Sequence, residues 1–159
     1  MAGRQAVIYA FSLQSHEIID IWTVGENITS IDCYVEKGVK LMALGSENGS
    51  IFIRKNSDEL PHETFSQQNQ DFSSTITCLK FSFDGKYLLA SSFIANSNIV
   101  YVFNKEQELY LSSNPYVIHF DNECVINLNF CESNKSFVAI TNIKNHYKCK
   151  KIVAKQFTC

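Results

Sequence analysis

At 159 residues the chain is sized for one domain. Hydrophobic residues make up 45% and charged residues 19%, which is enough apolar content to bury a core and excludes a disordered polymer. A formal net charge of −2 supplies no overall field toward nucleic acid or an anionic membrane.

Val7–Leu13 alternates loosely and reads as a strand. A polar turn at His16-Glu17 leads to a second strand, Ile18–Trp22, which Gly25-Glu-Asn27 ends. Ile28–Tyr34 is a third strand, with Ile31 and Cys33 on one face, and Val35–Gly38 turns the chain into Lys40–Ser46. That strand is apolar on both faces through Leu41, Met42, Ala43 and Leu44, the mark of full burial. Asn48-Gly49 then supplies the positive-φ residues of a tight hairpin, and Ser50–Arg54 returns as its partner. Residues 55–74 are polar, with at most one short strand near His62–Ser66.

The same order recurs. Strand Ile76–Ser82 meets an Asp84-Gly85 hairpin, followed by Tyr87–Ser92, a polar link at Asn96-Ser-Asn98, and Ile99–Phe103. Glu108–Leu111 or Tyr116–Phe120 supplies the outer strand. A further round opens at Val125-Ile-Asn-Leu128-Asn-Phe130, continues through Phe137–Thr141 and closes with Cys149–Val153. Ile28, Ile76 and Val125 open these copies at spacings of 48 and 49 residues. A period in that range points to stacked β-units, each too small to bury its own apolar face.

The six cysteines (Cys33, Cys78, Cys124, Cys131, Cys149, Cys159) form no Cys-x-x-Cys pair and have no histidine at zinc-finger spacing, so reduced thiols are expected and no metal or cofactor. Met-Ala-Gly-Arg-Gln is polar, and Ala6–Phe11 is too short for a secretory apolar region. No segment approaches the ~20 apolar residues of a membrane helix. A cytoplasmic or nuclear location follows as an expectation, with the Asn-x-Ser/Thr sequons at Asn27, Asn48 and Asn134 unused. The lysines from Lys144 to Lys155 read as a solvated strand edge, since no aromatic and Arg interleaving accompanies them.

The stretch Ile76-Thr-Cys-Leu-Lys-Phe-Ser-Phe-Asp-Gly-Lys-Tyr-Leu-Leu-Ala-Ser-Ser92 resembles the first two strands of a WD40-type β-propeller blade, and Leu44-Gly-Ser-Glu-Asn-Gly-Ser-Ile-Phe-Ile53 resembles the second and third. The resemblance covers about residues 7–154, strongly in two blades and weakly in the third. It departs from the family where Gly-His before the first strand and Trp-Asp after the third would stand; Ile53-Arg54 and Phe103-Asn104 hold the latter place. It implies an all-β, partial propeller of four-stranded antiparallel blades within a single region, 1–159. A half blade falls at about 7–22 and blades at about 28–66, 76–120 and 125–154. About three and a half blades do not close a ring of the usual ~4–8. The resemblance therefore implies part of a longer propeller, or one completed by additional chain or by a partner.

For function, the resemblance implies a noncatalytic scaffold that mediates protein–protein interaction within a multi-subunit assembly. Phe65, Phe72 and Phe93 are the candidate partner contacts, weighed against packing onto a blade edge, and Asn48, Gly49, Asp84 and Gly85 are structural turns. A lipid- or ligand-binding propeller is the alternative, although Arg4 and Arg54 are isolated where a lipid-headgroup propeller has paired arginines. An enzyme is the weakest reading. His119 and Asp121 would share a strand face as a general-base pair, and no nucleophile elbow, metalloprotease helix or phosphate loop occurs. Other proteins are the expected partners, not nucleic acid.

Overall fold

The computed structural model describes residues 6–56, 61–66, 74–94, 97–106, 109–111, 114–121, 123–131, 136–143 and 146–153. Among them all regular structure is strand, and no helix is long and apolar enough to cross a membrane. β1 (Ala6–Phe11) and β2 (Ile18–Val24) pair as a two-stranded ribbon. The second sheet runs in chain order through β3 (Ile28–Glu36), β4 (Val39–Ser46), β5 (Ile51–Lys55) and β6 (Glu63–Phe65). The third does the same with β7 (Thr75–Phe81), β8 (Tyr87–Ile94), β9 (Ser97–Asn104) and β10 (Tyr116–Phe120). The fourth holds β11 (Cys124–Phe130), β12 (Ser136–Ile143) and β13 (His146–Val153). Every neighbouring pair is antiparallel.

The internal repeat is visible in backbone detail. The first strand of each full sheet shifts register at one place: between Ile28 and Ser30, between Ile76 and Cys78, and between Val125 and Asn127. The extra residue bends the strand and increases its twist at that point. Thr29 and Thr77 use their hydroxyls there, Thr29 donating to the Gly45 carbonyl at 3.1 Å and Thr77 sharing a 2.7 Å hydrogen bond with the Ser91 hydroxyl.

The sheets stack face to face in chain order, and the cores lie between them. Leu41, Ala43, Ile51 and Ile53 meet Leu79, Phe81, Leu88, Ala90, Tyr101 and Phe103 between the second and third sheets. Leu89, Val100, Val102 and Phe120 meet Val125, Leu128, Phe130 and Phe137 between the third and fourth. A smaller cluster, Val24 with Met42 and Leu44, joins the ribbon to the second sheet. Strand side chains alternate between faces, so a strand with a sheet on each side must be apolar throughout. Leu88 and Ala90 of β8 face one cluster and Leu89 the other. Successive sheets approach most closely at their first strands, β3, β7 and β11. No strand pairing among the described residues joins the ribbon to the fourth sheet, so the stack does not close into a barrel.

Several elements differ from the sequence reading. The fourth sheet has three strands among the described residues, not four. Of the segment Glu108–Leu111 only residues 109–111 are described, and they form no outer strand: Glu106 and Leu109 make an isolated bridge, and the buried Tyr110 ring holds 109–111 at the end of the intersheet core. Tyr116–Phe120 fills the outer position beside β9. The turn placed at Val35–Gly38 narrows to Lys37 (φ 49°) and Gly38 (φ 82°), with Glu36 opposite Val39. Two positive φ values in a two-residue loop match the right-handed twist of the flanking strands. At Asn48-Gly49 only Gly49 is left-handed, at φ 82°. The loop is one residue longer: Ser46 N–H donates to the Ser50 carbonyl at 2.9 Å and Gly49 N–H to the Ser46 carbonyl at 3.3 Å, so Asn48 needs no positive φ.

Candidate interaction surface

β1 and β9 carry nearly the same residues: Ile8-Tyr9-Ala10-Phe11-Ser12 against Val100-Tyr101-Val102-Phe103-Asn104. Each is followed by an outer partner, β2 or β10. Their surroundings are opposite. Tyr101 is 4% exposed and Phe103 0%, because both face the second sheet, where Phe65 lies against them. Tyr9 is 60% exposed and Phe11 53%, because no described sheet stands on that side of the ribbon. Ile21, opposite Tyr9 in β2, is 55% exposed on the same face. Nine of the fifteen large exposed hydrophobic residues among those described lie between Val7 and Val35, so apolar exposure is concentrated in the ribbon and β3. A patch of this kind on a folded chain marks a binding surface.

Beside the ribbon, a cleft of about 470 Å³ opens toward the second sheet. Ile8 and Trp22 line one wall, Ile31, Cys33 and Met42 the other, with Asp20, Lys40 and Asn56 as its polar groups. One repeat later, the positions of Ile31 and Cys33 are Leu79 and Phe81, which are 3% and 5% exposed. Ile31 is 49% exposed, since the ribbon stops short of it. The Trp22 Nε1 hydrogen is buried with no hydrogen-bond partner among the described residues. The surrounding protein strips enough water from the Cys33 thiol to push its pKa up, and the Asp32 carboxylate adds to the rise. A thiol held protonated is a poor nucleophile and a poor metal ligand. No group of three or more metal-ligating side chains occurs among the described residues.

Asp32, Glu63, Glu36 and Glu123 each tie their own element to another. Asp32 on β3 accepts the Phe81 N–H at 2.8 Å and the Lys80 ammonium at 3.1 Å, joining the second and third sheets. Glu63 Oε2 accepts the N–H groups of Tyr110 and Leu111 at 2.7 and 2.6 Å. The Tyr110 hydroxyl donates to the Gly85 carbonyl, and burial raises its pKa. Lys105 lies 2.6 Å from Glu36, and Lys150 lies 2.6 Å from Glu123. The hydrogen bond from each lysine holds its glutamate below the usual carboxylate range. Lys150, read from sequence as a solvated edge lysine, is thus part of a sheet-to-loop ion pair.

The residues singled out from sequence do not converge. Phe65 is half-buried, its ring 5.2 Å from Phe103 and 5.9 Å from Tyr101, so of the two roles weighed for it the packed one describes it. Phe72 lies outside the described residues. Phe93 is 38% exposed near the end of β8, opposite Thr75 and Asn98. Gly85 has φ 65°, and Asp84 Oδ1 accepts from the Ser82 hydroxyl at 2.8 Å and the Lys86 N–H at 3.1 Å, so this pair builds a turn. His119 is exposed on β10, which ends at Phe120. Asp121 is therefore off the strand, and no hydrogen bond or ion pair joins the two among the described residues. Tyr9, Ile21 and Trp22 were not singled out. The signal that finds them is the likeness of β1 to β9, combined with the absence, among the described residues, of a sheet that covers the outer side of the ribbon.

No protein-family model matches the chain, and no curated protein matches it at significance.

Proposed function

We propose that the chain is a noncatalytic, WD40-like propeller segment that acts as a scaffold for other proteins. The observation that carries this reading is the apolar end formed by Tyr9, Phe11 and Ile21 beside an open cleft. Water-exposed rings and branched side chains at this density are costly to leave uncovered and suit a protein interface, where aromatic anchors dominate binding. The propeller reading is supported by sheets whose four strands follow chain order and by first strands that adjoin from sheet to sheet. The embedded carboxylates of Asp32 and Glu63 are engaged in intersheet hydrogen bonds.

The test is affinity purification of the tagged 159-residue chain from cells with quantitative mass spectrometry, beside the double variant Ile18→Asp/Ile21→Asp on the apolar end. Both positions are exposed, so the variant should fold, which a melting curve checks. A defined protein set held by the parent and lost from the variant is the expected result. An unchanged set, or none above background, overturns the reading.

A further inference from the structure

We propose that the free edge of β1 and the cleft beside it accept an extended strand from a partner protein, paired antiparallel to β1. The strand would carry apolar side chains on the face seated on Ile31 and Cys33. This rests on the reading of the chain as a protein-binding stack, and it names the surface and the kind of ligand.

The chain shows twice what belongs at this edge. β5 and β9, the counterparts of β1, each pair on one side with an outer strand and on the other with β4 or β8. There Ala43 stands opposite Ile53, and Ala90 opposite Tyr101. β1 has its outer partner, β2, and no second partner among the described residues. An unpaired edge offers a row of N–H and C=O groups, which an incoming backbone satisfies whatever its sequence. Selectivity then comes from the side chains that enter the adjoining cleft.

The cleft chemistry narrows the ligand. Its walls are apolar, and its charged groups, Asp20 and Lys40, are one of each sign, so a polyanion gains nothing there. The strands that fill this place elsewhere read Lys40-Leu-Met-Ala-Leu44 and Lys86-Tyr-Leu-Leu-Ala90, apolar on both faces with a small residue at the close approach. A partner strand of that pattern would cover Ile31 as Leu79 is covered in the next repeat.

The probe is a blocked peptide of sequence Lys-Tyr-Leu-Leu-Ala-Ser-Ser, copied from Lys86–Ser92, titrated into the full chain. Trp22 is the chain's single tryptophan and lines the cleft, so its emission reports occupancy directly. Saturable binding is expected, weakened about tenfold when proline replaces the second leucine and removes one N–H. A similar loss is expected from Ile31→Asp in the chain, an exposed substitution whose folding circular dichroism verifies. No saturable response, or an equal response to a scrambled peptide, overturns the proposal. So does self-association, seen by light scattering, that Ile31→Asp abolishes while the peptide does not bind, because the cleft then belongs to a second copy. The scaffold reading fails separately, through Ile18→Asp/Ile21→Asp on β2, neither of which lines the cleft, so the two failures are distinguishable.

Discussion

Asp32 and Phe81 join two sheets through one hydrogen bond: the β3 carboxylate accepts the β7 backbone N–H at 2.8 Å. The bond lies between first strands, where the sheets are closest. Phe81 itself is buried, so little water is available to replace Asp32. Asp32→Ala should therefore lower unfolding stability by about 1–3 kcal/mol, the cost of a stranded backbone donor. Lys80 also contacts Asp32, at 3.1 Å, but its side chain is 36% exposed. Lys80→Met should cost less than about 1 kcal/mol. Urea titrations of the two variants check the ranking. Equal losses would mean that the ion pair, not the N–H bond, carries the contact.

A second link is more deeply placed. Glu63 is 9% exposed and satisfies two backbone donors, Tyr110 and Leu111. Glu63→Ala orphans both and should destabilise by about 2–4 kcal/mol. Tyr110→Phe keeps the ring in the core and loses only the hydroxyl bond to Gly85, for about 1 kcal/mol. Thermal melts of the pair would separate the roles. A larger effect from Tyr110→Phe than from Glu63→Ala would refute the assignment of Glu63 as the main anchor of the 109–111 segment.

Acid should weaken the stack. The pKa of Glu36 is lowered by the Lys105 hydrogen bond and that of Glu123 by the Lys150 hydrogen bond, each from an ordinary value of 4.5. Burial works against ionisation of Asp84, but the Ser82 hydroxyl and the Lys86 N–H overcome it, so its pKa also falls below 3.8. A carboxyl group that loses its proton more readily folded than unfolded stabilises the fold above its unfolded pKa. That contribution vanishes as pH drops through the lower, folded value. The urea midpoint should hold steady from about pH 7 to pH 5 and decline below about pH 4.5. These pairs touch solvent, so salt should shrink the effect. Glu36→Gln/Glu123→Gln should flatten the acid limb, and an unaltered limb would show that other groups govern it.

Local pattern explains which features were legible. The 48- and 49-residue spacing of Ile28, Ile76 and Val125 is written in side-chain type, and the three register shifts fall at matching places. The two-faced burial of β4 was visible because no polar residue interrupts Leu41–Leu44, and Leu88–Ala90 of β8 carries the same uninterrupted pattern. Turn geometry was less so: Lys37 adopts a positive φ that its residue type does not announce, while Asn48, which favours one, does not. The anchoring carboxylates were hidden for a different reason. Asp32 reaches a partner 49 residues away and Glu63 one 47 residues away, so their roles exist only once the sheets stack. The exposed end was hidden too, because Tyr9 and Phe11 have the residue types of a core strand, and only the stacking shows that no described sheet covers them.

Gly45 offers a test of the stacking itself. It sits in β4 opposite Ser30 and Ile51, with no positive φ to explain a glycine. Space explains it: a Cβ there would collide with the Cβ and Cγ2 of Ile76 on the neighbouring sheet. The Ile76 side chain is 1% exposed and branched at the point of contact, so it has no room to swing aside. Gly45→Ala should destabilise by about 1–3 kcal/mol through overpacking, despite alanine's better backbone entropy. Ile76→Ala alone should cost about 2–5 kcal/mol by leaving a cavity. In the double variant the new methyl group fills part of that cavity, so the combined loss should fall short of the sum. Strictly additive losses would mean that the second and third sheets do not meet at Gly45 and Ile76.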